Sequence, residues 1–116
     1  MPQIILECSD NILEKDFKPL LSQIHQLLVE KLPTELKSCK SRVLRHTNYL
    51  LGDGSSNQAF VHLSINILSG RSMELKQLVG ATLMEVLMEA FHQSRETLEL
   101  QLSIAIQDLP GIYLKG

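Results

Sequence analysis

Apolar positions along this chain follow two alternating periods. Residues 59–67 keep the strand period of two. Ala59, Val61, Leu63, Ile65 and Ile67 face one way and His62, Ser64 and Asn66 the other, with Phe60 and Leu68 at the ends. Leu98, Leu100, Leu102, Ile104 and Ile106 alternate with Glu99, Gln101, Ser103 and Gln107, which predicts a strand over about 98–107. A first strand is expected over about 2–8, broken by the polar Ser9-Asp10-Asn11, and a second over about 39–50 around Ser41-Arg42-Val43-Leu44. Between these two, Leu20, Leu21, Ile24, Leu27, Leu28 and Leu32 recur at helical spacing. Asp16 is the expected N-cap of that helix, Pro19 fits its first turn, and Pro33 ends it. A second helix starts at Ser72 as cap, with Glu74 favourably placed in the first turn. Its apolar face is Leu75, Leu78, Val79, Thr82, Leu83, Val86, Leu87 and Ala90. Gly52-Asp53-Gly54-Ser55-Ser56-Asn57 and Ser69-Gly70-Arg71-Ser72 read as turns.

The order strand, helix, strand therefore occurs twice. The expected fold is α/β (α+β): two βαβ units forming a four-stranded mixed sheet with two helices on one face. A right-handed crossover makes each strand pair parallel. Residues 1–116 read as a single domain with pseudo-repeats over about 1–52 and 58–109. The sheet face without helices is bare and partly apolar, which favours burial by oligomerisation.

Composition narrows the functional classes. Hydrophobic content is 44% and charged content 21%, as in globular proteins, and the net charge of −2 offers no basic field for nucleic acid or acidic membrane. Trp is absent and aromatics are 4%, which leaves little for base stacking. No run of apolar residues is long enough for a membrane span and no secretory signal is visible, so a cytoplasmic protein is expected. Cys8 and Cys39 are then expected as buried thiols rather than a disulfide. His25, His46, His62 and His92 are scattered and none has metal-ligand spacing, so no metal site is expected.

The candidate chemistry starts at Pro2. If Met1 is removed, Pro2 carries a free secondary amine. An α-amine titrates near neutrality, and an apolar pocket or a nearby cation lowers its value further. Such a group is a general base. A retained Met1 would turn the same nitrogen into a non-basic amide. The plainer reading is a proline tolerated at a strand start.

The opening Met-Pro is joined by Glu7-Cys8-Ser9-Asp10-Asn11-Ile12, Ser41-Arg42-Val43, Asp53-Gly54, Ala59-Phe60-Val61-His62 and Gly70-Arg71-Ser72. In order and spacing these segments resemble the 5-carboxymethyl-2-hydroxymuconate isomerases of the tautomerase superfamily, over about residues 1–107. The resemblance implies a homotrimer of βαβ-βαβ subunits, with the N-terminal proline in a pocket near subunit boundaries. It implies cofactor-free proton transfer on an unsaturated 2-hydroxy or 2-oxo diacid from aromatic-ring breakdown, in the homoprotocatechuate branch. By motif matching Pro2 is the catalytic residue and Arg71 binds a substrate carboxylate or the 2-oxo group. Arg42 is the second candidate for binding substrate and Lys40, standing where the family carries Arg, the third. Lys keeps the charge and loses the planar fork, which bears on substrate identity more than on reaction type. The tail ending in Gly111-Ile112-Tyr113-Leu114-Lys115-Gly116 is shorter than the family pattern.

Two other readings compete. One is a different activity of the same superfamily, such as tautomerisation of phenylpyruvate-like enols or dehalogenation. The other is a trimeric binding or scaffold protein that keeps the fold without the chemistry.

Overall fold

Strand β1 (Gln3–Ser9) runs through the interior of a four-stranded sheet of order β2-β1-β3-β4 in the computed structural model, which describes residues 1–116. Helix α1 (Lys18–Lys31) leads from β1 to β2 (Lys40–His46), which pairs parallel with β1. Strand β3 (Gln58–Ile67) lies antiparallel on the other side of β1. Helix α2 (Met73–Ala90) and a short helix α3 (His92–Thr97) then lead to β4 (Glu99–Asp108), parallel to β3. The fold is the expected mixed sheet, with one correction. Two helices were expected, whereas three are present, together with a 3₁₀ turn at Leu36–Ser38.

The period-two pattern explains the layering. Ile4 faces Ile65, Leu6 faces Leu63 and Cys8 faces Val61 across the antiparallel ladder, and all six are buried. Leu20, Ile24 and Leu28 of α1 and Val79, Leu83 and Leu87 of α2 close over them as one core. Removing a Leu or Ile side chain of this kind from water stabilises the fold by roughly 1.5–3 kcal/mol each. The opposite face carries Arg42, Ile5, Ser64 and Ala105 in one cross-strand row and Leu44, Glu7, His62 and Ser103 in the next.

Helix boundaries show where local chemistry prevails. Ser72 caps α2, accepting the Leu75 N–H on Oγ at 3.1 Å. Asp16 is not the cap of α1. Phe17 takes that position, and Asp16 instead turns the chain one residue earlier by accepting the Lys18 N–H at 3.2 Å. Phe17 is held there by ring packing on Phe91 at 5.9 Å between centroids, so a tertiary contact fixes the helix start. The second strand stops at His46 rather than near residue 50, because Tyr49 leaves the sheet to donate its hydroxyl to Asp10 Oδ1 at 2.8 Å. Leu78 stands on the flank of α2 with 55% of its surface exposed, outside the expected apolar face.

The α3 segment has a polar sequence and one buried anchor. The Ser94 N–H and Oγ–H both donate to the Glu14 carboxylate, and Ser94 Oγ accepts the Leu13 N–H at 2.9 Å. This ties α3 to the loop between β1 and α1. Cys8 and Cys39 are free and buried, at opposite ends of the β1–β2 pair. Burial pushes both thiols above their ordinary values.

Candidate active site

Pro2 is buried where β1 begins, and its carbonyl accepts the Lys40 N–H at 3.1 Å. A proline suits this position because the ladder asks it for an acceptor and not for a donor. The α-amine of Met1 just before it is held below its ordinary value. Partial burial is the first cause, followed by the positive charges of Lys115 and Arg71; Cys39 acts the other way, and Lys40 adds the smallest lowering effect. Cations from the tail, the β3–α2 turn and the start of β2 thus converge on one amine.

The Gly70-Arg71-Ser72 turn builds part of this end of the molecule. Gly70 has φ +117°, a conformation open to glycine and strained for other residues. Arg71 donates from Nη1 to the Leu68 carbonyl at 3.2 Å and from Nη2 to the Leu32 carbonyl at 2.8 Å. Leu32 is the C-cap of α1, where a cation meets the negative end of the helix dipole. Ser72 then opens α2. One tripeptide therefore bends the chain, closes one helix and starts the next. The Arg71 guanidinium retains further N–H groups besides these two.

The structure separates Arg42 from this group. Its side chain lies on the face away from the helices, with its Cα opposite Ile5, and Nη1 donates to Gln3 Oε1 at 2.6 Å. Gln3 Nε2 donates in turn to the Tyr113 hydroxyl at 3.0 Å. Lys40 is exposed and hydrogen-bonds through Nζ to the Ser38 carbonyl at 3.5 Å. Pro2, Lys40 and Arg71 are thus brought together, and Arg42 reaches them only through Gln3.

Lys115 and Tyr113 were not singled out from the sequence. Tyr113 and Gln3 are 110 residues apart, and no local pattern marks a tail that folds back on the first strand. The return begins at Leu109, whose N–H donates to the Ile67 carbonyl at 2.6 Å.

Further along the open face, Glu7 pairs with His46 Nε2 at 3.0 Å and His62 Nδ1 bonds Ser103 Oγ at 2.7 Å, so both read as sheet-face structure. The three cavities of the chain lie elsewhere. The largest, about 400 Å³, sits between α2 and β4 beside Gly80, Met84, Ile104 and Ile106. No helix is long and apolar enough to cross a membrane.

Comparison with known proteins adds the family. The family model described as 5-carboxymethyl-2-hydroxymuconate isomerase matches residues 2–114. An Escherichia coli protein named 5-carboxymethyl-2-hydroxymuconate Delta-isomerase is 34% identical over 110 residues, covering 94% of this chain and 87% of that protein. A crystal structure of a 5-carboxymethyl-2-hydroxymuconate isomerase from Deinococcus radiodurans R1 matches with TM-score 0.89 and 31% identity, covering 98% of this chain and 88% of that one. A fused 4-OT symmetric trimer shares the fold alone, with TM-score 0.67 and 14% identity over 93% of this chain and 85% of that one. By sequence and by fold, this chain belongs to the 5-carboxymethyl-2-hydroxymuconate isomerase family.

Proposed function

We propose that this isomerase shifts a double bond in an unsaturated 2-hydroxy or 2-oxo acid of the 5-carboxymethyl-2-hydroxymuconate type, with Pro2 as the proton carrier. Met1 is removed first, which makes the Pro2 nitrogen a secondary amine. That nitrogen takes the proton of the 2-hydroxyl, the O–H electron pair forms the carbonyl, the double bonds shift one position away from it, and the same nitrogen returns the proton to the far carbon of the diene. No cofactor takes part. Arg71 and Lys40 hold carboxylate or oxo oxygens and disfavour the protonated amine, and Arg42 binds from the sheet face. The observation that carries the reading is the burial of Pro2 at the head of β1, its carbonyl on the Lys40 N–H at 3.1 Å, with the charges of Lys115 and Arg71 also acting on the terminal amine. The substrate chemistry agrees with it: the muconate skeleton has two carboxylates and the carboxymethyl arm adds a third.

Residues 1–116 act as a single domain of two βαβ repeats, in a cytoplasmic homotrimer serving homoprotocatechuate breakdown. Ile5, Leu44 and Phe60 on the helix-free face support association, since that face has no cover within the chain. The test follows the ultraviolet absorbance of 5-carboxymethyl-2-hydroxymuconate with protein whose intact mass shows loss of Met1. Isomerisation by the wild type and its loss by a factor of about 10²–10⁴ in Pro2→Ala is the expected result. Near-native turnover in a correctly processed Pro2→Ala variant would overturn the mechanism. No turnover with Pro2 free would transfer the case to phenylpyruvate-like enols, and failure there to a non-catalytic trimer.

A further inference from the structure

We propose that the C-terminal tail, residues 109–116, is part of the substrate site, with Lys115 as a carboxylate-binding cation and the Gln3–Tyr113 hydrogen bond as the latch that places it. The inference rests on the isomerase reading above and names a residue that the sequence motifs do not contain.

The tail is steered by its ends. β4 is fixed at Asp108, whose Oδ1 pairs with Lys76 Nζ of α2 at 3.1 Å. The next residue, Leu109, donates its N–H to Ile67 at the end of β3. From there the chain crosses to the start of β1, where Tyr113 accepts the Gln3 Nε2–H at 3.0 Å. Gln3 is also the acceptor for Arg42 at 2.6 Å. A single glutamine therefore joins the tail to one of the candidate substrate cations. Lys115 lies two residues beyond Tyr113, within about 7 Å of chain length. Its charge acts on the α-amine at this end ahead of those of Arg71 and Lys40.

The second observation is a charge imbalance. The ion pairs of the chain are Lys37–Glu35, His46–Glu7, Lys76–Asp108 and His92–Glu96. Lys40, Arg42, Arg71 and Lys115 have no carboxylate partner. Only Lys37 and Lys76 among the eleven Lys and Arg residues pair with a carboxylate, and of the other nine these four gather at one end of the central strands. Such a field selects an anion with several negative groups, and it is more than one carboxylate needs. The Lys115 ammonium, on a flexible stem and exposed, suits the outermost carboxylate of a tricarboxylate. Lys115 then determines preference for acids with the additional carboxylate. It binds ground and transition state alike, so its loss appears in KM rather than kcat.

The experiment compares wild type, Lys115→Met, Lys115→Arg, Tyr113→Phe and Pro2→Ala. All are full chains whose mass confirms loss of Met1 and whose Tm matches wild type. With 5-carboxymethyl-2-hydroxymuconate at a pH on the high-pH plateau, Lys115→Met is expected to raise KM about five- to tenfold with kcat within about twofold. The rise should be smaller on the monoacid phenylenolpyruvate, and Lys115→Arg should recover most of it. Tyr113→Phe should shift KM in the same direction by less. An unchanged KM in Lys115→Met, with Pro2→Ala inactive, overturns the tail site and leaves the isomerase reading standing. If Pro2→Ala keeps its activity or wild type has none, the isomerase reading fails, and the tail is decided by calorimetric binding of tricarballylate. Weaker tricarballylate binding by Lys115→Met than by wild type supports the anion site, and equal binding overturns it.

Discussion

Arg71 Nη2 donates to the Leu32 carbonyl across 2.8 Å, so the turn that opens α2 also seals the C-terminus of α1. A residue matched as a substrate cation thereby has a structural task as well. Arg71→Ala is expected to lower stability by about 1–2 kcal/mol, less than a fully buried charged hydrogen bond because the side chain is half-exposed. Chemical denaturation measures that part, and steady-state kinetics the rest, as higher KM and lower kcat together. Arg71→Lys should recover the charge effect on the amine and not the two-carbonyl clamp. Unchanged stability in Arg71→Ala would mean that the clamp is not formed in solution.

The pH profile follows from the cations. The α-amine at this end sits below its ordinary value because of partial burial, then Lys115, Arg71 and Lys40. A general base works in its neutral form, so once Met1 is removed kcat/KM should fall as pH drops through the titration of the Pro2 amine. Removing a cation raises that amine's value. Lys40→Gln should therefore move the acid limb to higher pH while the high-pH plateau changes less. A limb that stays in place would separate Lys40 from the amine.

Ser94 tests the attachment of α3. It is buried, donates twice to Glu14 and accepts the Leu13 N–H at 2.9 Å. Ser94→Ala removes the hydroxyl and leaves that N–H without its partner. A loss of about 1–2 kcal/mol is expected in urea denaturation. A loss under about 0.5 kcal/mol, the range of ordinary surface changes, would show that water replaces the serine.

His25 gives a stability slope at mildly acid pH. Burial lowers its value from 6.5, and Nε2 lies 2.9 Å from Ser41 Oγ. The unfolded chain therefore takes up the proton first as pH falls. The contribution is fully present above about 6.5 and is lost as pH drops through the lower folded value. The urea midpoint of wild type should fall more than that of His25→Gln between about pH 7.5 and about pH 5.5. Parallel pH curves would place the titration elsewhere.

The sheet was legible because the sequence alternates without interruption from Ala59 to Ile67, and a slip of one residue would put His62 and Asn66 into the core. The start of α2 was legible because Ser72 caps through its own side chain. The start of α1 was not, because Phe17 wins the cap position by packing on Phe91, a contact between distant residues that outranks the oxygen of Asp16. α3 escaped notice for a related reason. His92–Thr97 has no apolar stripe, and its anchor is a hydrogen-bonded serine whose partner, Glu14, is 80 residues away. At the candidate site, the motif residues Pro2, Lys40 and Arg71 lie together, while Lys115 and Tyr113 arrive only through the path of the tail. Arg42 belongs to the same residue segment as Lys40, yet its side chain leaves along the sheet face to Gln3.

β1 has a hydrogen-bonded neighbour along each side, and its core side chains Ile4, Leu6 and Cys8 have no exposed surface. Strands of this kind exchange their amide hydrogens most slowly and open only with the whole molecule. The candidate base is thus mounted on the stiffest rod of the fold. The cations around it stand on a turn, an edge strand and a tail, the parts with the smallest stake in the core. On the proposed mechanism such a molecule would work like a vice with one fixed jaw, the basic side chains opening and closing on the ligand while the nitrogen keeps its address.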